Sequence, residues 1–129
     1  MEKKCQKIYI AGFEKYLRDN EEEDSHMRKR EEISNKIKEI AKKTGKEWKI
    51  NGNKDKIWRF VGAISGELKE VTEDSIKKAG VEYCNAYIEK MNKKWFVPDA
   101  EYIGIIAEIL GLDEELKKNI CSSVARYYA

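Results

Sequence analysis

Proline occurs once and glycine eight times in 129 residues. Both interrupt helices, proline by lacking an N–H and glycine by its backbone freedom, so their scarcity favours helical segments. Histidine also occurs once, as His26. Any Ser–His–Asp or Cys–His nucleophile would have to use it. Its place beside Asp24 and Ser25, at the start of a helical pattern, reads as an exposed capping-region residue. Cysteine is limited to Cys5, Cys84 and Cys121. An odd number at wide spacing supplies neither a disulfide framework nor the close pairs of a zinc site. The three read as buried thiols in a reducing cytoplasm. No Gly-rich phosphate loop is present. Uncharged apolar runs such as Ile8–Phe13 and Tyr102–Ala107 reach about six residues, where a membrane span needs about twenty. The opening MEKKCQK leads into no apolar h-region, so no signal peptide is expected. These absences predict a cytoplasmic, non-enzymatic chain with no cofactor, no metal and no membrane partner.

What the chain does contain is charge in a helical rhythm. Lys and Glu dominate a charged content of 39%, and both are good helix formers. Ile33, Ile37 and Ile40 share one face of a helix predicted from His26 to Lys43, with Glu32–Lys36 and Glu39–Lys43 as i,i+4 pairs. Ile57, Val61, Ile64 and Leu68 define a second, from Asp55 to Val71, with Gly62 and Gly66 inside it implying close approach of a neighbour. Thr72 is the expected N-cap for a third running to Lys94, striped by Val81, Cys84, Ile88, Met91 and Trp95. Pro98 suits the first turn of a fourth, ending at Leu110 before Gly111. Asp113 caps a fifth over Glu114–Tyr127, striped by Leu116, Ile120 and Val124. The segment Lys3–Phe13 is open between helix and strand, because KIYIAGF alternates and resembles the opening strand of some nucleotide-handling α/β proteins. No later segment offers it a strand partner, so helix is favoured. The expected architecture is all-α: residues 1–129 as one compact bundle of five or six amphipathic helices, with an acidic loop at 19–24 and a basic loop at 44–54.

Two patterns point towards nucleic acid. Ile106–Ile120 resembles a helix-turn-helix, with Ala107 and Gly111 at the motif's spacing and Ile106, Leu110 and Leu112 apolar where it wants them. Lys117 stands where the motif buries an apolar residue, and Asp113, Glu114 and Glu115 would face phosphate. Left-handed capping at Gly111, closed by Leu112, accounts for the same residues. The second pattern is Lys36–Arg59, with nine basic and three acidic residues. Lys42, Lys43, Lys46, Lys49, Lys54, Lys56 and Arg59 are its candidate phosphate contacts. Trp48 and Trp58 are interleaved there, although Trp58 falls inside a patterned helix and reads as core. Aromatics at loops and helix ends, Trp48, Trp95, Phe96, Tyr127 and Tyr128, are the candidate anchors for a protein partner. A macromolecular partner bound through these aromatics, with charge steering the encounter, is the leading expectation. Protein ranks ahead of nucleic acid.

Overall fold

Ile33, Ile37, Ile40 and Ala41 are buried along one face of the first helix, α1, which covers residues 25–44. The structure is a computed structural model describing residues 25–129. The segments Lys3–Phe13 and 19–24 lie outside the described residues. Five further helices follow α1: α2 (Glu47–Asn51), α3 (Lys54–Ser65), α4 (Glu73–Asn92), α5 (Tyr102–Leu110) and α6 (Glu114–Tyr127). The described residues contain no strand, and the fold is all-α.

The corners follow from backbone chemistry. Gly45 takes a left-handed φ of 73° and ends α1, and Lys46 N–H donates to the Ala41 carbonyl at 2.9 Å. Gly111, at φ 65°, does the same after α5, where Leu112 N–H reaches the Ala107 carbonyl at 2.9 Å. Leu112 is itself buried, completing the hydrophobic closure expected of this cap. Thr72 caps α4 through a reciprocal box: Ser75 N–H donates to Thr72 Oγ1 at 3.1 Å, and Thr72 N–H donates to Ser75 Oγ at 3.0 Å. Asp113 stands at the start of α6 without making a side-chain cap bond.

α5 is the centre of the packing. Six of its nine residues are buried, and α2, α3, α4 and α6 all lie against it. Gly80 is the close-approach glycine. A Cβ there would lie 2.7 Å from Leu110 Cδ1, so any larger residue would require the end of the Leu110 side chain to shift. The helix α3 is shorter than its pattern implied. It ends at Ser65, Gly66 belongs to the following turn, and Gly62 faces only the Arg30 side chain. On α4 the buried line runs through Ile76, Ala79, Gly80, Cys84 and Met91. It leaves Val81 and Ile88 half-buried and Trp95 outside. Pro98 lies in a turn before α5 rather than in its first helical turn.

The basic loop expected at 44–54 contains α2. Five residues are too few to show periodicity, but Ile50 is drawn into the core and Lys49 forms an ion pair with Glu108 of α5. Glu39 pairs with Lys36 at 3.2 Å, while Lys43 crosses to Glu73 of α4 at 3.1 Å instead of joining Glu39. Thr44 Oγ1 lies 3.1 Å from the carbonyls of both Ala41 and Ile109, tying the end of α1 to the end of α5. Cys84 is fully buried and its thiol is pushed up to about 12 by burial. Cys121 is exposed, contrary to its reading as a buried thiol, because it follows Ile120 around α6 towards solvent.

Candidate interaction surfaces

The α4–α5 connection presents aromatic side chains to solvent. At its start Lys94 takes a left-handed φ of 59°, where glycine is the usual occupant. Lys94 N–H donates to the Met91 carbonyl at 3.0 Å, and Trp95 N–H donates to the Lys90 carbonyl at 3.1 Å. This pair of bonds stops α4 and swings the chain outward. Trp95 is then 56% exposed and Phe96 88% exposed, while Val97 and Ala100 return to the core. Phe96 is the most exposed large apolar side chain among the described residues.

Below the tip, the C-terminal end of α6 pins the connection. Val97 N–H donates to the Tyr127 hydroxyl at 2.8 Å, and Ala100 N–H donates to the Tyr128 hydroxyl at 3.3 Å. Tyr128 in turn donates to Glu101 Oε2 at 2.8 Å. Lys94 Nζ donates to the Arg126 carbonyl at 3.1 Å, satisfying one of the free carbonyls at the end of α6. The two tyrosine rings meet edge to face with centroids 5.0 Å apart. The Glu101 carboxyl is held below its usual range by its own backbone N–H and by the Tyr128 hydroxyl. Accepting from Tyr128, that carboxylate raises the Tyr128 phenol. Tyr127 and Tyr128 therefore act as struts, and Trp95 and Phe96 are what the struts display. Lys93 Nζ stands 5.2 Å from the Trp95 ring centroid and also pairs with Glu89 at 2.9 Å.

Trp48, the remaining aromatic candidate, is 67% exposed on α2. Its neighbour Lys49 is joined to Glu108 near the C-terminal end of α5, whereas the struts hold residues at the N-terminal end. A helix of this length spans about 13 Å. Trp48 and the Trp95–Phe96 tip thus lie at opposite ends of α5 and are not one patch.

The basic candidates divide into two sets. Lys43, Lys49 and Arg59 have carboxylate partners, Arg59 with Asp99 at 3.6 Å. Lys42, Lys46, Lys54 and Lys56 have none within 4.0 Å among the described residues. Trp58 is not core. It is 38% exposed on α3 and lines a groove with Ile50 and Ile57. Along Ile106–Ile120, Lys117 pairs with Glu114 at 3.3 Å, and Asp113, Glu114 and Glu115 are all exposed at the start of α6.

One cluster escaped the sequence reading. The hydroxyls of Tyr83 and Tyr102 both donate to Tyr87, at 3.1 and 3.3 Å, linking α4 to α5. Burial pushes the Tyr102 phenol up to about 12, with Arg59 over its ring acting in the opposite sense. The Tyr87 hydroxyl, accepting from both neighbours, is the hydrogen-bond bridge of the cluster. Helical spacing of Tyr83 and Tyr87 was the only available signal, and it does not reveal Tyr102 as the third member. Among the described residues no three His, Cys, Asp or Glu side chains converge as a metal-ligand set, and no helix is long and apolar enough to cross a membrane. Compared with known proteins, the chain matches no family model, no curated protein and no solved structure.

Proposed function

We propose that the protein is a non-enzymatic interaction module whose contact is the Trp95–Phe96 tip and whose partner is a protein. The observation that carries this reading is the pairing of exposure with anchoring. Phe96 is 88% exposed, yet the backbone beside it is held by the Tyr127 and Tyr128 hydroxyls. Two large rings standing in water are unfavourable to the isolated chain, whereas fully burying a phenylalanine side chain gains about 1.5–3 kcal/mol. Pinning the connection before binding reduces the ordering entropy that a loose loop would lose on contact. Lys93 stands over the Trp95 ring, paired with Glu89, and Lys90 and Lys94 flank it in sequence, a local positive charge suited to an acidic partner surface. Trp48 offers a second, separate contact at the far end of α5.

Variant-resolved affinity capture tests the reading. The unaltered chain, a Trp95→Ser/Phe96→Ser double variant and a Trp48→Ser variant are used as baits in extract of the native host. Both altered sites are exposed, so each bait should keep its fold by circular dichroism. A discrete protein retained by the unaltered and Trp48→Ser baits, and reduced at least about tenfold by the double variant, is expected from loss of such an anchor. Identical capture by all three baits would refute the tip as the contact.

A further inference from the structure

A second surface lies between α1, α2 and α3, away from the Trp95–Phe96 tip. Two adjoining hollows of about 410 and 340 Å³ share Ser34, Lys38 and Trp58 among their walls. Trp58, on α3, therefore stands where the two hollows join. The larger hollow has an apolar floor of Ile50 and Ile57, which are 5% and 4% exposed. Exposed Lys38 on α1, Lys54 on α3 and Asn51 on α2 also line it. The smaller hollow adds Asn35 and Glu31. Neither Lys38 nor Lys54 has a carboxylate within 4.0 Å among the described residues. Lys42 follows Lys38 by one helical turn and extends the same cationic line.

We infer that this trench binds unpaired nucleotides of a single-stranded nucleic acid, with a base stacked on the Trp58 indole and flanking phosphates on Lys38, Lys42 and Lys54. The chemistry is complementary at each point. An exposed aromatic face accepts any base, and apolar walls exclude water from the stack. Lysines on α1 and α3 track a backbone that passes through the trench, and they gain by displacing its counterions. Ser34, Asn35 and Asn51 supply donors and acceptors for base edges. The carboxylates of Asp55 and Glu31, on the same walls, repel phosphate and accept from exocyclic amino groups, which fixes where the backbone cannot run. A duplex offers no free base face and does not satisfy this arrangement. The trench is a different surface from the tip, so either proposal stands or falls without the other.

The test uses Trp58 as its own reporter. In a Trp48→Phe/Trp95→Phe background Trp58 is the sole tryptophan. Oligodeoxycytidylate and oligocytidylate of about eight nucleotides, a length within known single-strand site sizes and with an exocyclic amino group on every base, are titrated at low salt. The expected result is quenching of Trp58 and a log–log salt slope of about −2 from three phosphate contacts. Trp58→Ala should weaken affinity about 5- to 150-fold, while Trp58→Phe retains most of it. Lys38→Gln/Lys54→Gln should flatten the slope to about −0.7. The two differ only in the 2′-hydroxyl, so tighter binding of the ribo-oligomer assigns RNA as the source and tighter binding of the deoxy-oligomer assigns DNA. Equal binding assigns a site that reads the shared backbone and base face. No binding of either oligonucleotide would overturn the inference. So would binding indifferent to Trp58→Ala and to the lysine pair, or equally tight binding of a duplex. A photo-crosslinker placed at position 58 that captures nuclease-resistant protein alone would overturn it as well.

Discussion

Removing one oxygen tests whether the tip is stapled. In Tyr127→Phe the ring remains against its neighbours and only the acceptor for Val97 N–H disappears, a bond of 2.8 Å. Val97 is 4% exposed, so its N–H has little access to replacement water. A buried donor left without a partner costs about 1–3 kcal/mol. Tyr127 is half-buried, which allows some solvent to reach the vacated position, so the expected loss is about 1–2 kcal/mol. With a urea m-value of about 2 kcal/mol per molar, the unfolding midpoint should fall by about 0.5–1 M at unchanged slope. Tyr128→Phe should cost less, about 0.5–1 kcal/mol, because that residue is 56% exposed. The rings touch and brace one connection, so the double variant should depart from additivity. Equilibrium urea unfolding followed by circular dichroism is the assay, with Trp95 anisotropy in a Trp48→Phe/Trp58→Phe background reporting motion of the tip. A Tyr127→Phe midpoint within about 0.1 M of the parent, with Trp95 anisotropy unchanged, would refute the stapling argument.

Lys94→Gly should raise stability by about 0.5–1 kcal/mol, because relief of a left-handed lysine exceeds loss of its exposed bond to the Arg126 carbonyl. A lower urea midpoint would contradict that balance. Glu101 and Glu73 both have folded carboxyls held below the ordinary glutamate range, Glu101 through its own backbone N–H and the Tyr128 hydroxyl and Glu73 through Lys43 and Lys77. Their contribution is therefore complete above the ordinary glutamate range and is lost as pH falls through the lower folded values. Denaturation at pH steps from about 6 to 3 should show the parent losing stability more steeply than Glu101→Gln, and parallel curves would count against the Tyr128–Glu101 bond. Thiol labelling of the native chain with peptide mapping should modify Cys121 and spare Cys84 until the protein unfolds. Equal labelling of both would refute the burial of Cys84.

The main helices were legible because buried isoleucines recur at helical spacing, as Ile33, Ile37 and Ile40 do. Thr72 and Gly111 were legible because capping depends on local residue chemistry. The misplaced features depend on information that is not local. Trp58 is adjacent to Ile57 in sequence but about 100° around the helix from it, at the margin of a stripe whose width only the neighbouring helices define. Gly62 and Gly80 are equivalent in sequence, yet only Gly80 meets a helix closely, at Leu110. Lys94 gives no sign of a left-handed corner because the residue type that would signal one is absent. For the candidate surface, Phe96 lay beyond the expected helix, whereas Trp95 read both as the last residue of that helix's inner stripe and as an anchor, and only the Lys94 corner turns it outward. Tyr127 and Tyr128 belonged with them for a reason the sequence did not reveal: their hydroxyls accept from backbone some thirty residues away. The trench beside Trp58 was not legible as a trench, since it exists only once α1 and α3 lie side by side.

Site-specific photo-crosslinking at the tip is the most direct measurement of the proposed function. A photoreactive phenylalanine analogue replaces Phe96 in one sample and exposed Ala125 of α6 in a control, and both are irradiated in extract of the native host. The tip as contact predicts one discrete nuclease-resistant protein adduct from position 96 and none from position 125. No adduct at position 96 above the control, with Tyr127 and Tyr128 intact, would contradict it.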